Sequence, residues 1–542
     1  MPRQSRQTLS GQVFAYRNRQ FGTKMTNVEW AQTIQSIVSL ILLGIWGAAN
    51  AQDRGTDVSE ACASLSRLPN LSVTSSELVP ARGTTASYCH VIGTIAPAIR
   101  YHLQLPQPDE WNGRLLHQGD GGPDGTLNFA DHRVAQGYAV ANSNSGHDGG
   151  SEPGWSFAHD NRQAEIDFGY RAVHLTVNAA RTLIRAYYGE SPAYSYHDGC
   201  STGGRQGLVA AQRYPDDFDG IVAGAPVHDF QAMVAAQAWT LQRLFEDDFA
   251  GNLAFDADGD GQAESLRKVD LLEEAVLSKC DAIDGIVDGV IDNPLICDFD
   301  PNVDLAPMTC PSDVNGDACF TARQRETIAA LYAGPTDGNG TQIYPGNAPG
   351  SEFSWRARLI PHAGNDMVPL LLRLAATETL AYLFYETDPG VPVPNPADLS
   401  YVPARGGTQP QVAWWEFDVN DVSAGLGDTM ESIIGATDPD LTRFLIEEDA
   451  KLMIWHGWGD ADPHPGSSLD YYQAVVDRTF DGDLDAAKER ARLFMIPGMG
   501  HCGGGPGPNT WDTLAPIVEW VENGIAPDYL VVTHETDGLV DN

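Results

Sequence analysis

The chain has 542 residues, 42% hydrophobic and only 20% charged, with a formal net charge of −40. That length and composition support a sizeable core, in two or three domains or in one domain with a large insertion. So acidic a balance argues against nucleic acid or anionic membrane as a partner, and the scattered acidic residues read as a solvated, self-repelling surface.

The N-terminus reads as a targeting segment. Arg3, Arg6, Arg17, Arg19 and Lys24 precede the apolar run Ile37–Trp46, and Ala49-Asn50-Ala51 offers small residues for a signal peptidase. The run is short for a membrane span, so a signal peptide over 1–51 is the expectation, with an uncleaved anchor or a start at Met25 as alternatives. Cleavage takes away five positive charges and one negative (Glu29), moving the net charge from −40 to −44. All eight cysteines follow that point, and no Cys-x-x-Cys occurs; in an exported chain this favours disulfides over zinc or redox thiols.

In chain order, Leu71–Val73 and Ser87–Val91 read as strands, with Cys62 and Cys89 clipping this first segment. Ile99–Leu105 alternates as a half-buried strand does. Arg114–Gln118 is the next strand and runs into Gly119-Asp120-Gly121-Gly122, which is either a flexible turn or an oxyanion-hole loop with its backbone bared. Gly137–Ser143 is a buried strand, and Asp167–Tyr188 carries apolar residues at helical spacing. Ala193–His197, a strand, leads through Gly199-Cys200-Ser201-Thr202-Gly203-Gly204 into a helical pattern over 205–213. Asp219–Pro226 is again strand then turn. Such alternation predicts an α/β fold with a parallel sheet.

The alternation stops near His228 and resumes at Lys451, so 228–450 reads as an inserted lid between the catalytic-domain halves 52–227 and 451–542. The returning strands are Leu452–Trp455 and Leu493–Ile496, and a final helix is expected across Thr510–Asn523.

A Gly-x-Ser-x-Gly is a weak signal in a chain with 55 glycines. Its place on a strand-to-helix turn, however, is that of a nucleophile elbow presenting Ser201. An activated serine needs a base, and the base an orienting acid. The two returning strands end on candidates, Asp460 and His501, beyond the carboxyl edge where open α/β sheets hold catalytic groups. Asp462 is the alternative to Asp460, and a metal cluster of His456, Asp460, Asp462 and His464 has no recognised ligand spacing. Cys200 precedes the serine and Cys502 follows the histidine. With Ser201 and His501 in hydrogen-bond reach, the two cysteines fall within the ~4.4–6.8 Å between Cα atoms that a disulfide needs.

On Cys200-Ser201, Asp460 and His501-Cys502 the sequence resembles the tannase and feruloyl esterase family, which includes the hydrolase of mono(2-hydroxyethyl) terephthalate. Trp111–Arg114, Gly119-x-Gly121-Gly122, Gly137–Ala139, Gly146-His147, Gly224–Pro226 and His456-Gly457 are further landmarks of the resemblance. It implies an α/β-hydrolase core, a Ser201–His501–Asp460 triad and a Cys200–Cys502 bridge. The oxyanion donors carried over are the N–H groups of Gly122 and Thr202, although Pro123 stands where an aromatic is common.

Within the insertion, Asp281, Asp284 and Asp288 between glycine turns suit a hard cation, or else make a solvated acidic loop. The resemblance implies a structural calcium held there, with the carbonyls of Ile286 and Val290 completing the ligands and Cys280–Cys297 and Cys310–Cys319 stapling the flanks. A second motif, Asp256-Ala257-Asp258-Gly259-Asp260-Gly261, copies half an EF-hand loop, but Arg267 stands where a bidentate Glu belongs.

The reading is thus an exported, secreted or periplasmic, serine esterase acting on small aromatic or plant-polymer esters. Feruloyl esters come first, and galloyl esters or mono(2-hydroxyethyl) terephthalate are the alternatives. Trp239, Trp355, Trp414, Trp415 and Phe417 are candidates to stack on the acyl group. A calcium-stabilised binding module on a disabled hydrolase scaffold is the non-enzymatic alternative, against which the intact triad speaks. A transacylase is a third.

Overall fold

The computed structural model describes residues 58–83, 85–257, 265–360, 378–388, 416–536 and 539–540. The expected signal segment, Trp414, Trp415 and the 258–261 half of the second acidic motif lie outside them.

Nine strands form one sheet: β1 (Ser72–Val79), β2 (Tyr88–Ile95), β3 (Ile99–Pro106), β4 (Arg114–Gln118), β5 (Ala139–Ser143), β6 (Tyr194–Cys200), β7 (Gly220–Gly224), β8 (Lys451–Gly457) and β9 (Ala491–Ile496). Their spatial order is β1-β2-β3-β5-β4-β6-β7-β8-β9. From β5 to β9 every pair is parallel, whereas β1, β2, β3 and β5 pair antiparallel. The antiparallel edge has a simple cause: residues 96–98 are all that join β2 to β3, too few for the crossover a parallel pair requires.

The alternation in β3 is real, but both faces are covered. Tyr101, Leu103 and Leu105 enter the core, while His102 and Gln104 are buried under residues 128–131 through bonds to Asn128 O, Ala130 N and Asp131 Oδ1. Parallel strands are buried throughout, as two-faced coverage demands: β7 exposes no residue.

Helices cover both faces. On one lie α1 (Ala172–Tyr188), α2 (Thr202–Arg213) and α5 (Gly466–Thr479), whose Val177, Leu183, Leu208 and Val475 pack on Leu115, Ile221 and Ile454. On the other lies α6 (Leu514–Asn523), with Ile517 and Trp520 against Val222 and Met453. One turn of π-helix, Asp167–Arg171, precedes α1, which ends where Gly189 takes the left-handed conformation (φ 83°) and donates to Arg185 O.

Between β7 and β8 the described residues add no strand to this sheet. They form α3 (Phe230–Phe249), α4 (Arg267–Cys280) and shorter helices around a core that includes Leu241, Val276, Ile328 and Trp355. Arg205 of α2 fastens this segment to the sheet. Fully buried, it donates to the carbonyls of Phe168, Gly169 and Ile434 and lies 4.6 Å over the Phe168 ring. Four disulfides join Cys62–Cys89, Cys200–Cys502, Cys280–Cys297 and Cys310–Cys319. No helix among the described residues is long and apolar enough to cross a membrane.

Candidate active site

The chain turns sharply from β6 into α2 at Ser201, whose φ of 63° and ψ of −121° are strained for a residue with a Cβ. The turn is held from both sides: Ser201 N donates to Gly224 O of β7, and Ser201 O accepts from Arg205 N and Val227 N. The flanking glycines exist because three backbones meet there. A Cβ on Gly199 would sit 2.7 Å from the Gly203 carbonyl carbon, and one on Gly203 2.8 Å from Asp120 O. With the neighbours shrunk to hydrogen, the serine side chain is the one that projects. Ser201 Oγ makes no hydrogen bond to any described residue.

Asp460 and His501 follow β8 and β9. His501 Nδ1 lies 2.7 Å from Asp460 Oδ2, and the carboxylate is wholly buried. Asp462 is turned away: its Oδ2 accepts from Gln237 and only its N–H reaches Asp460. The structure also brings in His456, which sequence reasoning noted but gave no part. Its Nε2 is 3.2 Å from both Asp460 Oδ2 and Pro463 O, so it carries the proton and donates, while Nδ1 lies 2.8 Å from Ser468 Oγ. Burial alone would push Asp460 up; the flanking His501 and His456 outweigh it and hold the carboxyl well below the usual carboxylate range. His501 Nε2 has no partner among the described residues. The Cys200–Cys502 bridge, 5.9 Å between Cα atoms, ties the residues next to Ser201 and His501 across 302 positions of sequence. A resting nucleophile–base bond that closes only on substrate is common.

The glycine loop after β4 crosses the same turn. Gly203 N donates to Asp120 O and Thr202 Oγ1 to Gly122 O, both at 2.8 Å. The N–H groups of Gly121 and Gly122 donate to no acceptor among the described residues, and open space lies beside both. Thr202 is the first residue of α2, where no carbonyl one turn back is available to its N–H.

A family model, tannase and feruloyl esterase, matches residues 82–540. The chain belongs to the tannase and feruloyl esterase family. It is a carboxylic ester hydrolase. It is 29% identical over 519 residues to the mono(2-hydroxyethyl) terephthalate hydrolase of Piscinibacter sakaiensis, covering 85% of this chain and 81% of that one. It is 30% identical to a probable feruloyl esterase B-2 of Aspergillus terreus, over 82% of this chain and 79% of the other. In fold it matches the crystal structure of feruloyl esterase B from Aspergillus oryzae with a TM-score of 0.72 at 23% identity, over 89% of this chain and 94% of that chain.

In this member of the family the acidic loop follows α4. Asp281 is buried, its two oxygens accepting from Asp288 N and Gly289 N; Asp284 and Asp288 are exposed and accept from Ile286 N and Val290 N. Partial burial, with Asp284 and Asp288 adding, pushes the nearby Asp292 up, and no lysine or arginine pairs with these four among the described residues. The donors are hard oxygens carrying uncompensated negative charge, a set that fits calcium in kind. His159, Asp160 and Asp388 also converge, but the imidazole faces the two carboxylates with opposite nitrogens, an ion-pair arrangement.

Of the aromatic candidates, Trp239 and Phe417 line a cavity of about 500 Å³ beside Arg243 and Gln242. Trp355 is core, fully buried, with its indole N–H on Ser351 Oγ.

Proposed function

We propose that this chain is an exported serine esterase that cleaves esters of aromatic carboxylic acids, feruloyl esters foremost. The observation that carries the reading is the tethered pair: His501 bonded to a buried Asp460, and bridged through Cys502–Cys200 to the strained Ser201 turn. In the reaction, His501 Nε2 takes the Ser201 proton as Oγ attacks the ester carbonyl, and Asp460 fixes the tautomer and offsets the imidazolium. The N–H groups of Gly122 and Thr202 receive the oxyanion, aided by the positive end of α2. His501 then protonates the leaving alcohol, and water attacks the acyl-enzyme by the reverse proton path.

The feruloyl preference rests on the relatives' names. Mono(2-hydroxyethyl) terephthalate is the second substrate reading, favoured by the relative of that name, and galloyl esters are the third. Export is supported by four disulfides and the charged-then-apolar N-terminus. Calcium would be held by Asp281, Asp284, Asp288 and the carbonyls of Ile286 and Val290, where it supplies charge balance to the loop rather than chemistry at the ester.

The test is turnover of p-nitrophenyl acetate by the Ser201→Ala variant, followed by kcat/KM of the parent on methyl ferulate, methyl gallate and mono(2-hydroxyethyl) terephthalate. Loss of turnover and a ranking led by methyl ferulate are expected. Undiminished turnover by Ser201→Ala overturns the mechanism, and a different leader overturns the substrate assignment.

A further inference from the structure

The glycine loop carries two carboxyl groups that the mechanism does not use, the buried Asp120 and the half-buried Asp124. Asp120 is 4% exposed. Its Oδ1 accepts from the amides of Asn142 (2.5 Å) and Asn128 (3.1 Å), and its Oδ2 from Gln206 (3.0 Å) and Ser145 Oγ (3.3 Å). Asp124 lies one turn on, its N–H closing the turn onto Gly121 O. Its Oδ1 accepts from Thr126 N, but its Oδ2 is buried without a donor, and the groups facing it are Asp120 and Ser145. The backbone of Asp124 is itself left-handed, with φ of 60°.

No lysine or arginine among the described residues forms an ion pair with either carboxyl. The guanidinium of Arg205 acts on Asp120 only through space, its donors being spent on three carbonyls, and His147, packed against Gly125, is held neutral by burial, pushed down to about 4. Two carboxylates in contact out of water cannot both ionise. A proton between them supplies the donor that Asp124 Oδ2 lacks.

We propose that Asp120 and Asp124 share one proton, and that this proton clamps the Gly121–Gly122 turn in the position from which it binds the oxyanion. Asp124 is thereby a positioning residue for ester hydrolysis, and its ionisation disables the loop at alkaline pH. The inference rests on the assignment of the loop as oxyanion donor. Burial and the Asp120 charge push Asp124 up to about 10, which sets the pH at which the clamp opens. The sign follows from proton linkage. A carboxyl raised in the folded state adds stability that is whole below the unfolded value near 4 and is lost progressively as pH climbs to about 10.

Asparagine tolerates the left-handed backbone and donates an N–H without needing a proton, so Asp124→Asn is the informative variant. The experiment measures kcat/KM for p-nitrophenyl acetate from pH 6 to 10.5, and Tm from pH 5 to 9, for parent and variant. The parent loses activity with an apparent pKa near 10. In Asp124→Asn the ratio of kcat/KM at pH 10.5 to that at pH 7.5 rises about threefold or more. Its Tm relative to the parent climbs steadily from pH 5 to 9. Asp124→Gly, which keeps the backbone but has no donor, loses kcat with little change in KM. An unshifted alkaline limb in Asp124→Asn overturns the catalytic role, and a flat Tm difference overturns the shared proton. The melting arm does not depend on Ser201 chemistry, so failure of the esterase mechanism is read separately, from Ser201→Ala.

Discussion

The serine turn and the acidic loop after α4 are built from the same kinds of residue, glycines and short polar side chains, and they are held in opposite ways. Around Ser201 the turn is tied across to other elements: to β7, to the glycine loop, and through the disulfide to the loop after β9. In the acidic loop Asp281, Asp284 and Asp288 bond only to N–H groups within eight positions of themselves, and two of them face solvent. The first region is braced by the chain itself, as the mechanism proposed above requires of a preorganised site. The second carries negative charge that no lysine or arginine among the described residues pairs with, which is why calcium is proposed there.

Breaking each region should therefore produce different signatures. Asp460→Asn should lower kcat by about 10⁴-fold, because the amide stabilises the wrong imidazole tautomer, and should lower Tm as well, because the ionised carboxylate between two imidazoles is lost. Single-turnover and steady-state kinetics on p-nitrophenyl acetate check it. Next in size, Cys200→Ser combined with Cys502→Ser should cost about 2–5 kcal/mol of unfolding free energy and lower kcat as well. Cys62→Ser with Cys89→Ser should destabilise while leaving kcat alone, as urea melts and activity measured on the same samples will show. His456→Ala removes one of the two donors on Asp460 Oδ2 and should lower kcat about tenfold. An unaltered kcat would make His456 a core residue only. The smallest catalytic effect belongs to the acidic loop: chelation with EGTA should lower Tm by a few degrees and leave kcat within about twofold, with added calcium restoring Tm. Asp284→Asn with Asp288→Asn should abolish that response.

What could be read beforehand follows the same division. Parallel strands β4 to β9 announce themselves as short apolar runs ending in turns, and Asp460 and His501 stand just past two of them. The antiparallel edge was hidden because Ile99–Leu105 alternates like an edge strand, and only the tertiary cover at 128–131 buries its polar face. His456 stands four residues before Asp460, a spacing that brings two side chains together only once the strand end has curled into its turn. Asp120 and Asp124 were masked by the glycines around them: the sequence shows a loop, and nothing local says that two of its carboxyls meet. Apart from α3 and α4, the stretch between β7 and β8 resisted reading because many of its elements are short and irregular, such as Pro301–Asp304 and the π turn Leu380–Phe384. Long-range packing, rather than periodicity, defines them.

The backbone crowding at Gly119, Gly199 and Gly203 bears on how such an enzyme changes. A Cβ at any of the three would come within 2.9 Å of a neighbouring main chain, so this part of the machine admits no trial substitutions. Novelty in the ester accepted must enter elsewhere, at positions not hemmed in by neighbouring backbone. Diversification and engineering are thereby channelled: libraries spent on these three glycines return dead protein, and variation has to begin at positions where a side chain already stands.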